Sequence, residues 1–143
     1  MTQTARTDPR LPSTWWQFVG FLGGTTAYAL HLVIGVSLVP AACAIGANWP
    51  LHLVNWTAIA AIIGAFAVAE RVRRSALAIG ASDPSAPAWG VDQLNDPDHG
   101  PVGMPHWRRG LYLAISGHVL NALALAVVLF AEAHVWVLDP CLP

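Results

Sequence analysis

The sequence predicts an all-α fold, an integral membrane three-helix bundle with its N-terminus in the cytoplasm and its C-terminus outside. Three observations predict this class. Apolar residues make up 55% of the 143 residues and charged residues only 10%, whereas soluble domains carry about 25% charged residues. The apolar residues form three runs, each long enough to cross a hydrocarbon core, which takes about 20 residues. The basic residues lie outside these runs, on one predicted side of the membrane.

The order of the apolar runs divides one membrane domain, residues 1–143, into seven segments. The polar N-terminal tail comes first, and each predicted helix then alternates with a connection that carries prolines, glycines or charges. The predicted segments are a cytoplasmic tail 1–14, helix 1 at 15–40, an outer loop 41–50, helix 2 at 51–71, a cytoplasmic loop 72–109, helix 3 at 110–135 and an outer tail 136–143.

The orientation follows from the arginines. The chain has seven basic residues, all of them arginines, and they lie in the N-terminal tail or in the 72–109 loop. The loop 41–50 and the tail after Trp136 have none, which is the distribution that the positive-inside rule requires of this orientation. Tryptophans near the predicted helix ends are typical of the two interfacial belts: they are Trp15, Trp16 and Trp107 inside, and Trp49 and Trp136 outside.

The connection between helices 2 and 3 has the composition of a flexible loop. Its central part, residues 75–105, is rich in proline, glycine and aspartate. Such a segment cannot bury a core. We therefore expect a solvated cytoplasmic loop, and its flanking arginines favour contact with anionic headgroups.

The two cysteines are predicted to lie on the same side of the membrane. Cys43 follows helix 1 and Cys141 follows helix 3, and both helices end outside in this topology. Lone cysteines in an oxidising compartment commonly pair, so we expect a Cys43–Cys141 disulfide. Two inert or lipid-modified thiols are one alternative, and a metal site is the other.

The metal alternative rests on five potential ligands at the outer surface. Thiolate and imidazole together suit copper(I) or zinc, although no two of these residues have a recognised ligand spacing. The candidates are Cys43, His52, His134, Asp139 and Cys141.

Polar residues inside the apolar runs mark the surfaces that we expect to face protein. In helix 1, small and polar residues recur every three or four positions and share one helix face. Small residues allow helix backbones to approach closely in lipid. The helix 1 residues are Gly20, Gly24, Tyr28, His31 and Gly35, and helix 3 offers Gly117, His118, Asn121 and Glu132.

Histidines in a membrane segment raise the question of haem. At about 1.5 Å per residue, the predicted depths of His31 and His118 differ by about 10 Å. Two axial ligands must meet at one iron, so a haem between these residues of one chain is not expected. The simpler interpretation is a neutral histidine that is hydrogen-bonded to a neighbouring helix.

No catalytic or nucleotide-binding motif is present. The chain lacks G-x-x-x-x-G-K-[ST], G-x-G-x-x-G, H-E-x-x-H and G-x-S-x-G, which support nucleotide, dinucleotide, zincin and serine-hydrolase chemistry. Three spans without an internal repeat also make a poor transporter. We therefore expect neither an enzyme nor a nucleic-acid partner.

Three stretches carry a resemblance to a known group of proteins. They are AYALHLVIGVSLVPAAC at 27–43, WPLHLVN at 49–55 and LDPC at 138–141. The chain resembles a family of small three-span bacterial membrane proteins whose genes often lie beside those of haem-copper cytochrome c oxidases. The resemblance covers the membrane part and not residues 75–105. Its positions in this chain are His31, Cys43, Pro50, His52, Asp139 and Cys141.

The resemblance implies association with the assembly or structure of an oxidase. We therefore expect a multi-pass protein of the bacterial plasma membrane, a non-catalytic accessory or assembly subunit that contacts the bilayer and larger subunits. No cofactor is required by this hypothesis. The alternative is a membrane protein that binds copper at the outer cluster or haem through an intramembrane histidine.

Overall fold

The computed structural model describes residues 11–82 and 106–137, which form three long α-helices. They are α1 (Thr14–Ile45), α2 (Trp49–Ser82) and α3 (His106–Val137). Each is long and apolar enough to cross a membrane, which confirms the predicted all-α class and the prediction of three helices that could span a membrane. Every pair of helices is in contact, so the described part is a three-helix bundle.

The bundle has two ends, which we name by their contents. At the turn end, α1 stops at Ile45, α2 starts at Trp49 and α3 stops at Val137. At the arginine end, α1 begins, α2 finishes and α3 begins. Consequently α2 runs antiparallel to α1 and α3, and α1 and α3 are parallel.

The helices extend beyond the predicted spans at both ends of the bundle. α1 continues through Pro40 to Ile45, since a proline removes one backbone donor and membrane helices tolerate it. α2 continues to Ser82 instead of ending at Arg71. Its extension holds salt bridges one turn apart, from Arg73 and Arg74 to Glu70, and such pairs support a helix outside the hydrocarbon region.

A tight turn ends α1 and reverses the chain. Gly46 adopts a left-handed conformation with φ 65°, which glycine accepts without a Cβ clash. The Gly46 N–H donates to the Cys43 carbonyl at 3.2 Å, and the Ala47 N–H donates to the Ala42 carbonyl at 3.1 Å. This is a Schellman motif, and it brings α2 back after three residues.

Small side chains set the distances between the helices. A Cβ on Gly20 would lie 3.0 Å from the Ala69 backbone of α2, and one on Gly117 would lie 2.6 Å from the Gly20 carbonyl oxygen. A Cβ on Gly24 would collide with Asn121 of α3. Gly20 and Gly24 therefore lie at close contacts between helices of this chain. Around Gly35, by contrast, no described atom lies within 4 Å of the Cβ position.

An apolar cluster fills the bundle between these polar and small contacts. Part-buried residues, among them Tyr28, pack against it. The buried members are Ala58, Ile59 and Ile62 of α2 and Ala124 and Val128 of α3.

Several predictions concern residues outside the described ranges. These are the tail 1–10, residues 83–105 of the predicted loop, and the segment 138–143 with Asp139 and Cys141. The loop's flexibility and the disulfide stay predictions.

Candidate functional site

Five polar side chains from all three helices meet near the turn end of the bundle. His52 and Asn55 are one turn apart on α2, and Glu132 and Trp136 are one turn apart on α3, so each pair shares a helix face. His31 reaches them from α1 through Asn55. We call these five residues the polar network.

Glu132 is the common acceptor of the network. Its Oε1 accepts hydrogen bonds from His52 Nδ1 at 2.8 Å and from Trp136 Nε1 at 2.9 Å. Its Oε2 accepts from Asn55 Nδ2 at 2.5 Å. The rings of His52 and Trp136 also pack together, with centroids 5.0 Å apart.

The direction of each bond fixes the histidine tautomers. Because a carboxylate only accepts, His52 must carry its proton on Nδ1 when it bonds Glu132. Asn55 donates to Glu132 through its amide nitrogen, so its oxygen is left to accept from His31 Nε2 at 2.5 Å. His31 Nε2 is therefore the protonated nitrogen in this arrangement.

The three donors offset the burial of the Glu132 carboxylate. Glu132 is only 7% exposed and Asn55 only 4%, and a buried carboxylate without partners is strongly disfavoured. Charge-assisted hydrogen bonds are stronger than neutral ones. His52 is the more exposed member of its pair with Glu132, at 25% of its side chain, so it connects the network to the surface. The network therefore ties α2 to α3 directly and α1 to both through Asn55.

One acceptor of the network has no partner among the described residues. His31 is buried, and its Nδ1 has no hydrogen bond in that part of the chain. In the Nε2–H tautomer, Nδ1 carries a lone pair.

A second polar contact ties α3 to α1 near the middle of the bundle. Asn121 is fully buried, donates to the Gly20 carbonyl at 3.1 Å and accepts from the Gly24 N–H at 3.1 Å. The two glycines expose the backbone groups that Asn121 needs. The sequence pattern placed these residues on facing stripes, and the structure brings them into contact.

His118 belongs to a different group, closer to the arginine end. Its Nδ1 donates to the Ala114 carbonyl at 2.8 Å, and its Nε2 lies 3.5 Å from Glu70 Oε2. Its ring packs edge-on against Phe66, with centroids 5.6 Å apart. Glu70 in turn accepts from Arg73 and Arg74.

The two intramembrane histidines therefore lie at different levels. His31 contacts Asn55 and His118 contacts Phe66, and these two residues of α2 are separated along the helix axis by about 16 Å. They cannot hold one iron between them within this chain.

The predicted outer metal ligands are only partly described, and those that are do not converge. His134 donates from Nδ1 to the Phe130 carbonyl of its own helix at 3.1 Å and is exposed. It lies two residues from Glu132, and therefore on the opposite face of α3 from the carboxylate that binds His52. Within residues 11–82 and 106–137, no three His, Cys, Asp or Glu side chains form a group that could hold a metal. Asp139 and Cys141 lie outside the described residues.

Sequence reasoning singled out His31, His52 and Glu132 but not the residue that joins them. Asn55 is the only asparagine inside the second apolar run, and a lone amide in such a run needs a partner from another helix. That signal was present in the sequence. Glu70 also went unnoticed, because at the edge of the span it resembles an ordinary interfacial charge.

The comparisons with known proteins add no identification. No protein-family model, no curated protein and no solved structure matches this chain.

Proposed function

We propose that this chain is a non-catalytic accessory or assembly subunit of a respiratory membrane complex, with a haem-copper oxidase as the complex. In this proposal it is a multi-pass protein of the bacterial plasma membrane with its arginine end in the cytoplasm. The arginine distribution supports the orientation. The sequence resemblance supports the choice of partner.

The observation that carries the proposal is an open face of small residues on α2. These residues recur every three or four positions, are exposed, and face away from α1 and α3. Around Gly64, at the centre of this face, no described atom lies within 4 Å of the Cβ position. Small residues in lipid allow a second helix to approach closely. We call this the small-residue face, and it consists of Thr57, Ala60, Ala61, Gly64 and Ala67.

The polar network supports a structural role over a catalytic one. All three donors that Glu132 binds come from this chain, and each of its two oxygens already accepts at least one of them. A carboxylate held in this way stabilises the contact between helices and is poorly placed to take a proton from a substrate. The bundle is then a preformed unit that docks through its outer surface.

The test compares two glycines that are both open in the isolated chain. Gly64→Leu places a bulky side chain on the small-residue face, whereas Gly35→Leu places the same side chain on α1, where the Cβ position is equally clear of described atoms. Each tagged variant is expressed in the source organism and captured from membranes in a mild detergent. Oxidase subunits are then quantified by mass spectrometry.

We expect Gly64→Leu to reduce the recovery of oxidase subunits about tenfold, which corresponds to about 1.4 kcal/mol of binding free energy. Gly35→Leu should leave the recovery within about twofold of the unmodified chain. Absence of oxidase subunits from the unmodified capture would contradict the choice of complex. Equal recovery with both variants would contradict docking through the small-residue face.

One observation favours a second candidate function, metal binding at the turn end. His52 donates from Nδ1 to a carboxylate, which is the orientation that metal-binding histidines commonly have, with Nε2 left for the metal. Completion of a copper or zinc site requires further ligands, with the undescribed Asp139 and Cys141 as the candidates. A copper or zinc content near one per chain that is lost in His52→Ala would favour this function, and a Soret absorption band would favour the haem alternative.

A further inference from the structure

A cleft opens on the surface at the arginine end, between the start of α1 and the second half of α2. It has a volume of about 340 Å³ and is lined by Pro12 and Trp16 from the α1 side and by Val68, Arg71 and Ser75 from α2. It lies far from the polar network. Its volume is in the range of small-ligand sites.

The cleft combines apolar and cationic surfaces in the order that a membrane interface requires. Trp16 is half exposed, and tryptophans of this kind lie at the headgroup level of a bilayer. Val68 is one turn closer to the middle of the bundle than Arg71, and Ser75 is one turn further out. An apolar wall therefore leads into the cleft from the hydrocarbon side, and the guanidinium and hydroxyl lie at the headgroup side.

Arg71 is the arginine of α2 that remains available to a ligand. Arg73 binds Glu70 through two nitrogens at 2.7 and 2.8 Å, and Arg74 binds the same carboxylate at 2.7 Å. Within the described ranges, Arg71 makes no hydrogen bond or salt bridge, and its side chain is exposed. Glu70 is the one carboxylate described at this end, so the described charges there sum to a positive value.

From this geometry we propose that the cleft binds the headgroup of an anionic phospholipid. The Arg71 guanidinium and the Ser75 hydroxyl donate to the phosphate diester, because a planar guanidinium suits paired phosphate oxygens. The acyl chains lie along Val68 and Trp16. A zwitterionic lipid is disfavoured, because its ammonium group would lie beside the Arg71 guanidinium. The proposal is independent of the proposed accessory function.

The test is native mass spectrometry of the full chain in a neutral detergent, titrated with phosphatidylglycerol or with phosphatidylcholine of the same acyl chains. Arg71→Gln removes the guanidinium of the cleft. Arg74→Gln is the matched control, since it removes the same charge three residues away, from a side chain that is 77% exposed and already bound to Glu70. A third titration adds inorganic phosphate to the complex with phosphatidylglycerol.

We expect one tightly bound phosphatidylglycerol per chain and an affinity at least about tenfold lower for phosphatidylcholine. Arg71→Gln should weaken phosphatidylglycerol binding by about tenfold, and Arg74→Gln by less than about twofold. Millimolar inorganic phosphate should leave the lipid bound, because it lacks the acyl chains.

Three results would overturn the proposal. An equal loss in both arginine variants would mean that the arginine end attracts anions diffusely, as juxtamembrane basic segments do. Displacement by inorganic phosphate would make this a site for a free anion. Equal affinity for the two lipids would remove the role of charge.

A further variant separates loss of binding from loss of folding. Arg71→Lys keeps the charge but lacks the planar pair of donors. An intermediate lipid affinity, with the thermal stability unchanged, would show that the loss of binding in Arg71→Gln does not come from unfolding.

Discussion

Among the described glycines, Gly117 makes the closest approach to the backbone of another helix, so Gly117→Ala is a sensitive probe of how α1 and α3 pack. The added methyl carbon would lie 2.6 Å from the Gly20 carbonyl oxygen and 3.0 Å from the Phe21 Cα. Both are backbone atoms, so no side-chain rotation relieves the overlap. The two helices must separate by several tenths of an ångström to restore ordinary contact.

This separation also acts on Asn121, one turn along α3. Its bonds to the Gly20 carbonyl and the Gly24 N–H are both 3.1 Å long, and the same separation would stretch them beyond a useful length. Overpacking costs about 1–3 kcal/mol, and side-chain hydrogen bonds in a membrane contribute about 0.6 kcal/mol each. We therefore expect Gly117→Ala to lower the free energy of unfolding by about 2–4 kcal/mol.

The assay is reversible unfolding of the full chain in mixed detergent–lipid micelles, followed by circular dichroism. Gly64→Ala is the matched control, because no described atom lies within 4 Å of its Cβ position. The control should be neutral or more stable by up to about 1 kcal/mol, because alanine has the higher helix propensity. A Gly117→Ala protein as stable as the Gly64→Ala protein would refute the close α1–α3 packing.

Three further predictions test the network, the topology and the cysteines. Glu132→Ala should lower the unfolding free energy by about 2 kcal/mol, because it leaves the Asn55 amide donor buried without an acceptor. Glu132→Gln should lower the unfolding free energy by less. If Glu132→Ala is as stable as the unmodified chain, the network does not stabilise the bundle. Reporter fusions at Pro143 and Asp92 should report outside and cytoplasm respectively, and activity of a cytoplasm-only reporter at Pro143 would reverse the orientation. A membrane-impermeant maleimide should label the protein only after reduction if Cys43 and Cys141 are paired, whereas labelling without reduction that copper blocks would favour the metal site.

The architecture was predictable because its cause is local. Three apolar runs of the necessary length cannot be accommodated in water, so the number and order of the helices follow from composition alone. The helix ends were less predictable, since a helix does not have to stop where the hydrocarbon stops. The extension of α2 from Val72 to Ser82 depends on helix-forming residues and on the Glu70 salt bridges. A hydropathy pattern reports neither of these two features.

The site was predictable residue by residue but not as an arrangement. Periodicity placed Gly20, Gly24 and Asn121 on facing surfaces, and these residues meet. His31 and His52, however, come together only through Asn55 and Glu132. Their levels depend on the relative register of three helices, which a one-dimensional pattern does not contain. The same limit applied to the predicted outer metal ligands. His52 and His134 were both predicted at the outer surface, but His52 binds Glu132 and His134 lies on the opposite face of α3 from Glu132.

Our central proposal is that this chain is a non-catalytic accessory or assembly subunit of a haem-copper oxidase. Its most direct test reverses the capture: the oxidase is purified from the source organism through a tag on its haem-bearing subunit, and this chain is quantified by mass spectrometry against isotope-labelled standards. We expect the chain to be recovered in an amount similar to that of the haem-bearing subunit. Absence of the chain both from an intact, active oxidase and from its partly assembled forms, all purified in mild detergent, would contradict the proposal.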